Sequence, residues 1–281
     1  MSHQRTWFIT GVNTGFGREM SEQLLARGDR VAGTVRKLET VDDLKAKYGA
    51  RFWSAHLDVT DTPAIRRVVD KAFADLDRID VVVNNAGYGL FGAAEELTED
   101  QISHEIATNL LGSIHVIRAA VPHLRAQGGG RVLQISTYGG QAASAGASLY
   151  HASKWGIEGF TESMMQELAP FKIGVTIVEP GGARTNFRST GAKLARPLDA
   201  YKGTPVGMVH TILADRSRLP NGDPAAMVKL MVASVEREPA PKRLVLGSDS
   251  YNAVLKSIRD RLADVEGQKE VAFSTDLSAG S

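Results

Sequence analysis

The chain has 281 residues, of which 43% are hydrophobic and 23% are charged, and its formal net charge is +1. This composition is ordinary for a globular protein, and its balanced charge does not favour a nucleic-acid or membrane partner. The absence of cysteine excludes disulfides and cysteine-ligated metals. There is no signal-peptide pattern and no apolar run of membrane-spanning length. We therefore expect one cytoplasmic domain over residues 1–281, without a metal site.

A strand, a glycine-rich turn and a helix open the chain. The apolar run Thr6–Thr10 predicts a buried strand, and Gly11, Gly15 and Gly17 follow it before a helical pattern. Glycines allow the backbone to approach a pyrophosphate closely, and a helix N-terminus offers free N–H groups. A glycine triplet alone is usually only a tight turn. Its place between the first strand and the first helix favours a dinucleotide-binding cradle.

The end of the second predicted strand bears on the choice of nucleotide. Arg30–Val35 is followed by Arg36 and Lys37, with no acidic residue before Glu39. An acidic residue at this point binds the ribose hydroxyl of NAD, whereas an arginine accommodates the phosphate of NADP. The sequence therefore favours NADPH, with NADH as the alternative if the two basic residues are ordinary loop charges.

Polar residues follow the third and fourth predicted strands. Asp58 comes directly after the strand Phe52–Leu57, where it suits an adenine amino group. It could instead cap the next helix, predicted over Thr62–Leu76, although Asp61 competes better for that position. The fourth strand runs into the Asn-Asn-Ala-Gly segment at 84–87, whose asparagines either brace the sheet or form a turn.

A long helix is predicted from Thr98 to about Gln127, opened by a capping box and kinked at Pro122. Asn109 lies in its middle, where asparagine is mildly unfavourable. A satisfied buried amide and a functional role both remain open for this residue. The fifth strand, Arg131–Ile135, follows the helix and leads to a pair of hydroxyl residues, Ser136 and Thr137.

Tyr150 and Lys154 are four residues apart, about one turn of the next predicted helix. A nearby ammonium favours the phenolate, so we expect the pKa of Tyr150 to fall from about 10 towards 7, where general acid–base catalysis works best. Alone this pair is a weak motif, and it gains weight from the predicted nucleotide site. Trp155, Met164 and Leu168, further along this helix, are predicted to be core residues.

The last third of the chain supplies further elements. A sixth strand, Gly174–Glu179, precedes Pro-Gly-Gly-Ala-Arg-Thr at 180–185, and the weakly periodic residues 186–221 are predicted to form a substrate lid. Helices are predicted over Asp223–Glu238 and Tyr251–Leu262, with a short strand over Arg243–Gly247 between them. A C-terminal extension begins at about residue 248, and its tail from about residue 267 is expected to be loosely ordered.

Strands and helices thus alternate, which predicts an α/β fold: a single-domain, Rossmann-like, doubly wound parallel sheet of about seven strands flanked by helices. Ligands of such sheets bind at the carboxyl ends of the strands. Because the glycine turn, the asparagines, the hydroxyl pair and the Pro-Gly segment all follow strands, we expect them to converge on one crevice.

Together, in this order, these motifs resemble the short-chain dehydrogenase/reductase family, in its single-domain, retinol- or hydroxysteroid-dehydrogenase-like branch. The match covers roughly residues 5–190. The resemblance implies reversible hydride transfer between NADP(H) and a ketone or secondary alcohol, a small-molecule substrate, and a homodimer or homotetramer. The residues that it implies for cofactor binding are Gly11, Asn13, Thr14, Gly15, Phe16, Gly17, Arg36, Asp58, Val59, Asn85, Ala86, Gly87, Tyr150, Lys154, Pro180, Gly181, Ala183 and Thr185.

The resemblance also implies catalytic roles. Tyr150 is the acid–base, Lys154 holds the nicotinamide ribose and lowers the pKa of Tyr150, and Asn109 holds a water of the proton relay. The family usually has serine thirteen residues before the tyrosine, where this chain has Thr137. Threonine keeps a hydroxyl donor but adds a methyl group. This departure leaves a catalytically weak, cofactor-binding regulator as an alternative, beside an NAD-dependent secondary alcohol dehydrogenase. Glycine spacing and chain length disfavour a nucleotide-sugar epimerase.

Overall fold

A seven-stranded parallel sheet organises the molecule in the computed structural model, which describes residues 4–215, 217 and 219–277. The strands are β1 Thr6–Thr10, β2 Arg30–Val35, β3 Phe52–His56, β4 Val81–Asn84, β5 Gly89–Phe91, β6 Gly130–Ile135, β7 Ile173–Pro180, β8 Ala192–Leu194 and β9 Arg243–Leu246. Their order in the main sheet is β3-β2-β1-β4-β6-β7-β9, and β5 pairs with β8 in a separate two-stranded sheet. The predicted fold class and strand number are confirmed.

Helices cover both faces of this sheet. They are α1 Gly15–Ala26, α2 Asp42–Tyr48, α3 Thr62–Leu76, α4 Glu99–Ile106, α5 Gly112–Ala126, α6 Ser148–Leu168, α7 Pro205–Ala214, α8 Pro224–Ser234, α9 Ser248–Glu266 and α10 Lys269–Phe273. None of the helices within the described ranges is both long and apolar enough to cross a membrane.

The sheet is buried on both faces, and β1 shows how this affects its sequence, because its three central residues are all apolar. Trp7 and Ile9 belong to one core cluster, which includes side chains of α1 and α8. Phe8 belongs to a second cluster, formed with α3, α5 and α6. Successive strand residues point to opposite faces, so a strand covered on both sides reads as a continuous apolar run.

The long helix predicted from Thr98 to Gln127 is divided in the structure. The capping box is present: Gln101 N donates to Thr98 Oγ1 at 3.3 Å, and Thr98 N donates to Gln101 Oε1 at 3.0 Å. A π-helical segment, Ala107–Leu111, then separates α4 from α5. Pro122 lies inside α5, which continues to Ala126, so the irregularity falls around Asn109. Single π turns are frequent at functional sites.

The tail and the helix α6 each contain a feature that the sequence pattern did not predict. The tail beyond residue 267 forms the short helix α10, and residues 278–281 lie outside the described part of the chain. Trp155 is not a core residue, because it is 38% exposed and lies beneath the Arg261 guanidinium, whose Cζ is 4.8 Å from the ring centre. Met164 and Leu168 are buried. One face of α6 therefore packs on the sheet, whereas Trp155 meets α9.

The segment predicted to be a lid, residues 186–221, contains β8 and α7. Hydrogen bonds hold it to the loop before α4. His210 Nε2 lies 3.0 Å from Glu96 Oε2, and Leu198 N donates to Glu96 Oε1 at 2.8 Å. Tyr201 Oη donates to Glu95 Oε1 at 2.5 Å. Residues 216 and 218 of this predicted lid lie outside the described part.

Candidate active site

A cleft of about 1110 Å³ lies at the carboxyl ends of β1, β2, β4, β6 and β7. The residues implied for the site that line this cleft are Gly11, Asn13, Thr14, Gly15, Phe16, Arg36, Asp58, Val59, Asn85, Ala86, Gly87, Thr137, Tyr150, Lys154, Pro180, Gly181, Ala183 and Thr185. Gly17 and Asn109 lie behind the cleft wall and support it. Parallel topology brings these residues together because all of the strands end at the same edge.

The glycine turn has the shape that a pyrophosphate cradle requires. Gly11 and Gly15 have φ angles of +73° and +60°, which favour glycine. A Cβ on Gly17 would lie 2.3 Å from the Gly11 carbonyl oxygen and 2.5 Å from Asn85 Nδ2, so this position has no room for a side chain. Thr14, the N-cap of α1, makes no side-chain cap bond, and the first turn of α1 contains no acidic residue. The first-turn amides therefore suit an anion.

Asn85 ties the glycine turn to β4. Its Nδ2 donates to the carbonyl oxygens of Thr10 at 2.9 Å and Gly11 at 3.0 Å. The amides of Asn85 and Ala86 donate to Thr10 Oγ1, each at 3.0 Å. Asn84 Nδ2 donates to Ser113 O at 2.9 Å and to Gln134 Oε1 at 3.0 Å. These bonds brace the strand ends beside the cleft.

Arg36 and Asp58 lie at the neighbouring ends of β2 and β3. Arg36 is exposed and lines the cleft. Asp58 Oδ1 accepts from the amide and hydroxyl of Thr60 at 2.9 and 2.8 Å. Burial acts to raise the pKa of Asp58, but these bonds and Arg36 hold it below its ordinary value. Asp58 is thus an ionised acceptor, and Asp61, which accepts from Ala64 N at 2.9 Å, caps α3 instead.

Tyr150 is half-buried beside two aromatic rings, Phe91 of β5 at 5.5 Å and Phe187 of the lid at 6.3 Å between centroids. Burial raises the pKa of its phenol, and the negative charge of Glu105 adds to the effect. The expected fall towards 7 is therefore wrong for the protein without cofactor. The Tyr150 hydroxyl keeps its proton at neutral pH.

Lys154 is buried one turn along α6 from Tyr150, and its Nζ lies 5.9 Å from the centre of the Tyr150 ring. The ammonium donates to the Ile135 carbonyl oxygen at 3.1 Å. Burial lowers the pKa of Lys154 to about 8, against the opposing charges of Glu158 and Glu105. Lys154 is thus a buried amine whose charge changes close to neutral pH.

The hydroxyls of Ser136 and Thr137 have different partners. Thr137 Oγ1 donates to the Pro180 carbonyl oxygen at 3.2 Å. Ser136 Oγ donates to the buried carboxylate of Glu158 at 2.5 Å, a short bond that holds this hydroxyl. Both residues touch the cleft. A bond to a carboxylate is the stronger of the two, so the Thr137 hydroxyl is more readily turned towards a substrate.

Asn109 is buried in the π-helical segment and organises the wall behind Tyr150. Its Oδ1 accepts from Tyr88 N at 3.0 Å. Its Nδ2 lies 2.7 Å from Tyr88 O and 3.1 Å from Ser153 Oγ, and the Ser153 hydroxyl donates to Tyr150 O at 2.8 Å. Asn109 therefore connects the segment after β4 with the start of α6.

Sequence reasoning missed several residues near this wall. The Tyr88 hydroxyl is 2.9 Å from His104 Nδ1, and both residues line the cleft. Glu105 is completely buried next to Asn109. Glutamate and asparagine four residues apart on one helix share a face, so this spacing was a usable signal. Within the described ranges, no group of three or more His, Cys, Asp or Glu residues could hold a metal ion.

Similar proteins agree with this architecture. The family model described as short chain dehydrogenase matches residues 5–193. The oxidoreductase BOA17 of Botryotinia fuckeliana (strain B05.10) is 32% identical over 272 residues, 96% of this chain and 99% of the relative. A crystal structure of a short-chain dehydrogenase from Streptomyces avermitilis is 36% identical with a TM-score of 0.91, and covers 99% of this chain and 100% of that one.

A more distant structure has the same fold. It is a short chain dehydrogenase/reductase from Burkholderia phymatum in complex with NAD, 20% identical with a TM-score of 0.80, and it covers 94% of this chain and 95% of that one. Fold, glycine cradle and cleft define a nucleotide-dependent oxidoreductase. The chain belongs to the short-chain dehydrogenase family.

Proposed function

We propose that this protein transfers hydride reversibly between NADP(H) and a small ketone or secondary alcohol. The observation that carries the proposal is one cleft with the glycine cradle at one end and Thr137, Tyr150 and Lys154 at the other. A turnover screen of NADPH against ketones, and of NADP+ against secondary alcohols, tests it. Consumption of NADPH that depends on a ketone is the expected result.

The mechanism assigns one step to each side chain. A nicotinamide held in this cleft would supply or accept the hydride. Tyr150, whose half-buried phenol is protonated at neutral pH, donates its proton to the carbonyl oxygen as charge develops there. The Thr137 hydroxyl donates a hydrogen bond to the same oxygen, which stabilises the transition state. Lys154 would hold the nicotinamide ribose and supplies a positive charge beside the phenolate that Tyr150 becomes.

The outer part of the cleft favours a substrate with an apolar body. Phe91 of β5 and Phe187 of the lid flank Tyr150, and Val209, Ile212 and Leu213 of the lid segment line the same cleft. Ligand sites of this kind combine apolar walls with a few polar groups that fix orientation. The hydroxyls of Tyr150 and Thr137 are the orienting groups here.

Arg36 supports a preference for NADPH. We expect kcat/KM with NADPH to exceed kcat/KM with NADH by at least about tenfold. Hydrogen bonds to charged groups contribute about 1.5–3 kcal/mol, and 1.4 kcal/mol is about tenfold. Arg36 is exposed, and the sequence contains no acidic residue between Arg36 and Glu39. Arg36→Asp should reverse the order, because the carboxylate repels the phosphate and accepts from the ribose hydroxyl of NADH.

Lys37→Asp is the control for this change, since Lys37 is also exposed but does not line the cleft. It changes charge equally and should alter the ratio of the two kcat/KM values much less. Steady-state kinetics with both nucleotides give these ratios. Equal efficiencies in the wild-type protein would refute the NADPH preference and favour the NAD-dependent alternative.

Gly17→Ala should weaken NADPH binding and also lower the thermal stability. The added Cβ would overlap the Gly11 carbonyl oxygen, and overpacking of this kind destabilises the fold by about 1–3 kcal/mol, so the cradle must shift from the shape that suits a pyrophosphate. Gly159→Ala is the matched control, because Gly159 is exposed in α6 and its Cβ would meet no atom within 4 Å. Fluorescence titration with NADPH and thermal melting compare the variants. Unchanged affinity of Gly17→Ala would contradict the cradle.

The regulator alternative rests on Thr137 in place of the family's usual serine. Such a protein would bind NADPH yet turn over no ketone, so binding and turnover measured together separate the two functions. The cytoplasmic location, expected from the sequence pattern, and the homodimer or homotetramer, implied by the family resemblance, remain expectations. Sedimentation equilibrium would contradict the assembly if the protein were monomeric.

A further inference from the structure

Residues 180–185, the Pro-Gly segment after β7, connect the two ends of the cleft. At one end of the segment the Thr137 hydroxyl donates to Pro180 O at 3.2 Å. At the other end, a Cβ on Gly15 of the glycine turn would lie 4.0 Å from Thr185 Cβ. The proposed reaction needs the nicotinamide beside the Thr137 hydroxyl and the pyrophosphate at the glycine turn. The nicotinamide half of the nucleotide would therefore lie along this segment, which we call the nicotinamide segment.

Backbone hydrogen bonds hold the nicotinamide segment from two sides. Gly181 N donates to Leu246 O of β9 at 2.7 Å, and Gly222 N donates to Gly182 O at 3.0 Å. The Gly182 amide has a different partner, because it donates to Asp249 Oδ2 at 2.7 Å. Asp249 lies in the first turn of α9, so a side chain of the C-terminal extension fixes this part of the cleft wall.

Glycines in two loops make room for the Asp249 carboxylate. A Cβ on Gly181 would lie 1.9 Å from Asp249 Oδ1, and a Cβ on Gly247 would lie 2.7 Å from the same oxygen. Gly247 also has a φ angle of +101°, which favours glycine. The carboxylate therefore fits between the loop after β7 and the loop after β9, where a side chain on either glycine would displace it.

Attachment of α9 does not require a negative charge at this position. Ser250 Oγ donates to Glu179 O at 2.8 Å, and Ser257 Oγ donates to Gln141 O at 2.7 Å. Two neutral side chains thus already fasten the helix to β7 and to the loop after β6. An asparagine in place of the aspartate would also accept from the Gly182 amide. The contacts therefore account for an acceptor, and the charge has a separate effect.

Asp249 places a negative charge directly behind the lining of the cleft. Within the described ranges it has no ion-pair partner, whereas Glu179, two residues before Gly181, is paired with Arg243. Burial raises the pKa of Tyr138, and the charge of Asp249 adds to the effect. Because Tyr138 and Gly181 line the cleft, the field of this carboxylate reaches the space inside it.

This charge acts differently on the two forms of the nucleotide. The nicotinamide ring is positive when oxidised and neutral when reduced, whereas the phosphates are the same in both forms. Among the described residues that line the cleft, the one carboxylate is that of Asp58 after β3, which lies five strand spacings or about 24 Å from β7. Lys154 in the same cleft is positive at neutral pH and repels the oxidised ring. Asp249 opposes this repulsion from behind the nicotinamide segment.

We propose that Asp249 is a positioning residue that holds the nicotinamide segment and, through its charge, favours binding of the oxidised over the reduced nucleotide. This inference rests on the function proposed above, which brings the nicotinamide to this segment. The charge should tighten NADP+ binding and hardly affect NADPH binding. Ketone reduction should consequently be more strongly inhibited by its product NADP+ than it would be with a neutral residue at this position.

Asp249→Asn tests the effect of the charge, because it keeps an acceptor for the Gly182 amide. Fluorescence titration gives the Kd of NADPH, and competition with NADPH gives the Kd of NADP+. Asp249 is exposed, so solvent screens its charge, and we expect the variant to bind NADP+ about two- to fivefold more weakly. The Kd of NADPH should stay nearly the same. An unchanged ratio of the two Kd values would overturn the proposal.

Two further variants separate charge from contact. Asp264→Asn removes the same charge from α9 about 22 Å further along the helix, more than twice the Debye length of about 8–10 Å. It should leave the ratio of the Kd values unchanged, and a shift as large as that of Asp249→Asn would overturn the proposal. Asp249→Ala removes the acceptor as well as the charge, so it should weaken both nucleotides, and NADP+ more than NADPH.

Ionic strength tests the charge in the wild-type protein. NADP+ and NADPH share their phosphates, so the effect of salt on phosphate contacts cancels in the ratio of the Kd values. The exposed Asp249 is screened more than the buried Lys154, and raising the salt from about 0.05 to 0.5 M should therefore weaken NADP+ relative to NADPH. If Asp249→Asn does not fold, as judged by circular dichroism, a salt-independent ratio in the wild type would overturn the proposal.

Turnover distinguishes this inference from the function on which it rests. The inhibition constant of NADP+ in ketone reduction should rise in Asp249→Asn by the same factor as its Kd. Ketone turnover by both proteins with equal inhibition by NADP+ would overturn the role of Asp249 alone. Wild-type protein that binds both nucleotides but reduces no ketone would overturn the proposed function, and the ratio of the Kd values would still decide the effect of the charge.

Discussion

Tyr150→Phe is expected to lower kcat by roughly 10²–10⁴-fold, while its affinity for NADPH stays close to that of the wild type. The phenylalanine ring keeps the packing against Phe91 and Phe187 and loses only the hydroxyl. Because burial keeps this phenol protonated at neutral pH, no other source of the proton is needed in the wild type. Fluorescence titration of NADPH beside steady-state kinetics separates binding from chemistry.

Tyr138→Phe is the matched control, since Tyr138 is another tyrosine of the cleft whose pKa is raised by burial. Its hydroxyl has no part in the proposed proton transfer, so its removal should change kcat by only a few-fold. Retention of more than about a tenth of wild-type turnover by Tyr150→Phe would end the assignment of Tyr150 as the acid–base.

Thr137→Val should lower turnover by roughly a hundredfold or more. The substitution keeps the branched shape and removes the donor, and one donor aimed at a developing oxyanion is worth about 3–4 kcal/mol. Thr137 Oγ1 now donates to the Pro180 carbonyl at 3.2 Å, and this bond is exchanged for one to the substrate. Steady-state kinetics with NADPH and a ketone substrate measure the loss.

Ser136 supplies the comparison for this variant. Its hydroxyl is held by the buried Glu158, so Ser136→Ala should cost far less turnover than Thr137→Val, although it removes a structural bond. Thr137→Ser retains the hydroxyl donor and should stay active. Because it removes the methyl group, the cleft should also accept bulkier ketones. A larger loss from Ser136→Ala than from Thr137→Val would show that the wrong hydroxyl is assigned.

Local sequence rules predicted much of the fold and the composition of the cleft. The strands β1 and β2 and the helix α3 have the predicted bounds, because apolar runs and helix caps define them within the chain itself. The glycine turn was found from its place between a strand and a helix. These features depend on neighbours in sequence, which is why single-sequence reasoning reached them.

The pKa of Tyr150 could not be predicted in this way. Its direction depends on enclosure by β5 and the lid. The sequence pattern predicts no strand at β5 and is only weakly periodic in the lid, and the pairing of β5 with β8 is non-local. Sequence spacing showed only the attraction of Lys154. The exposure of Trp155 and the burial of Glu105 have the same origin, since both depend on what distant segments cover.

The central claim is most directly tested by mixing wild-type protein and Tyr150→Phe with NADPH and a panel of ketones that have apolar bodies. The loss of nicotinamide absorbance and the formation of alcohol would be followed together. Wild-type protein should consume NADPH and form alcohol in equal amounts, and Tyr150→Phe should bind NADPH without consuming it. NADPH binding without substrate-dependent consumption by the wild type, in either direction of the reaction, would contradict the proposed function and favour the regulator.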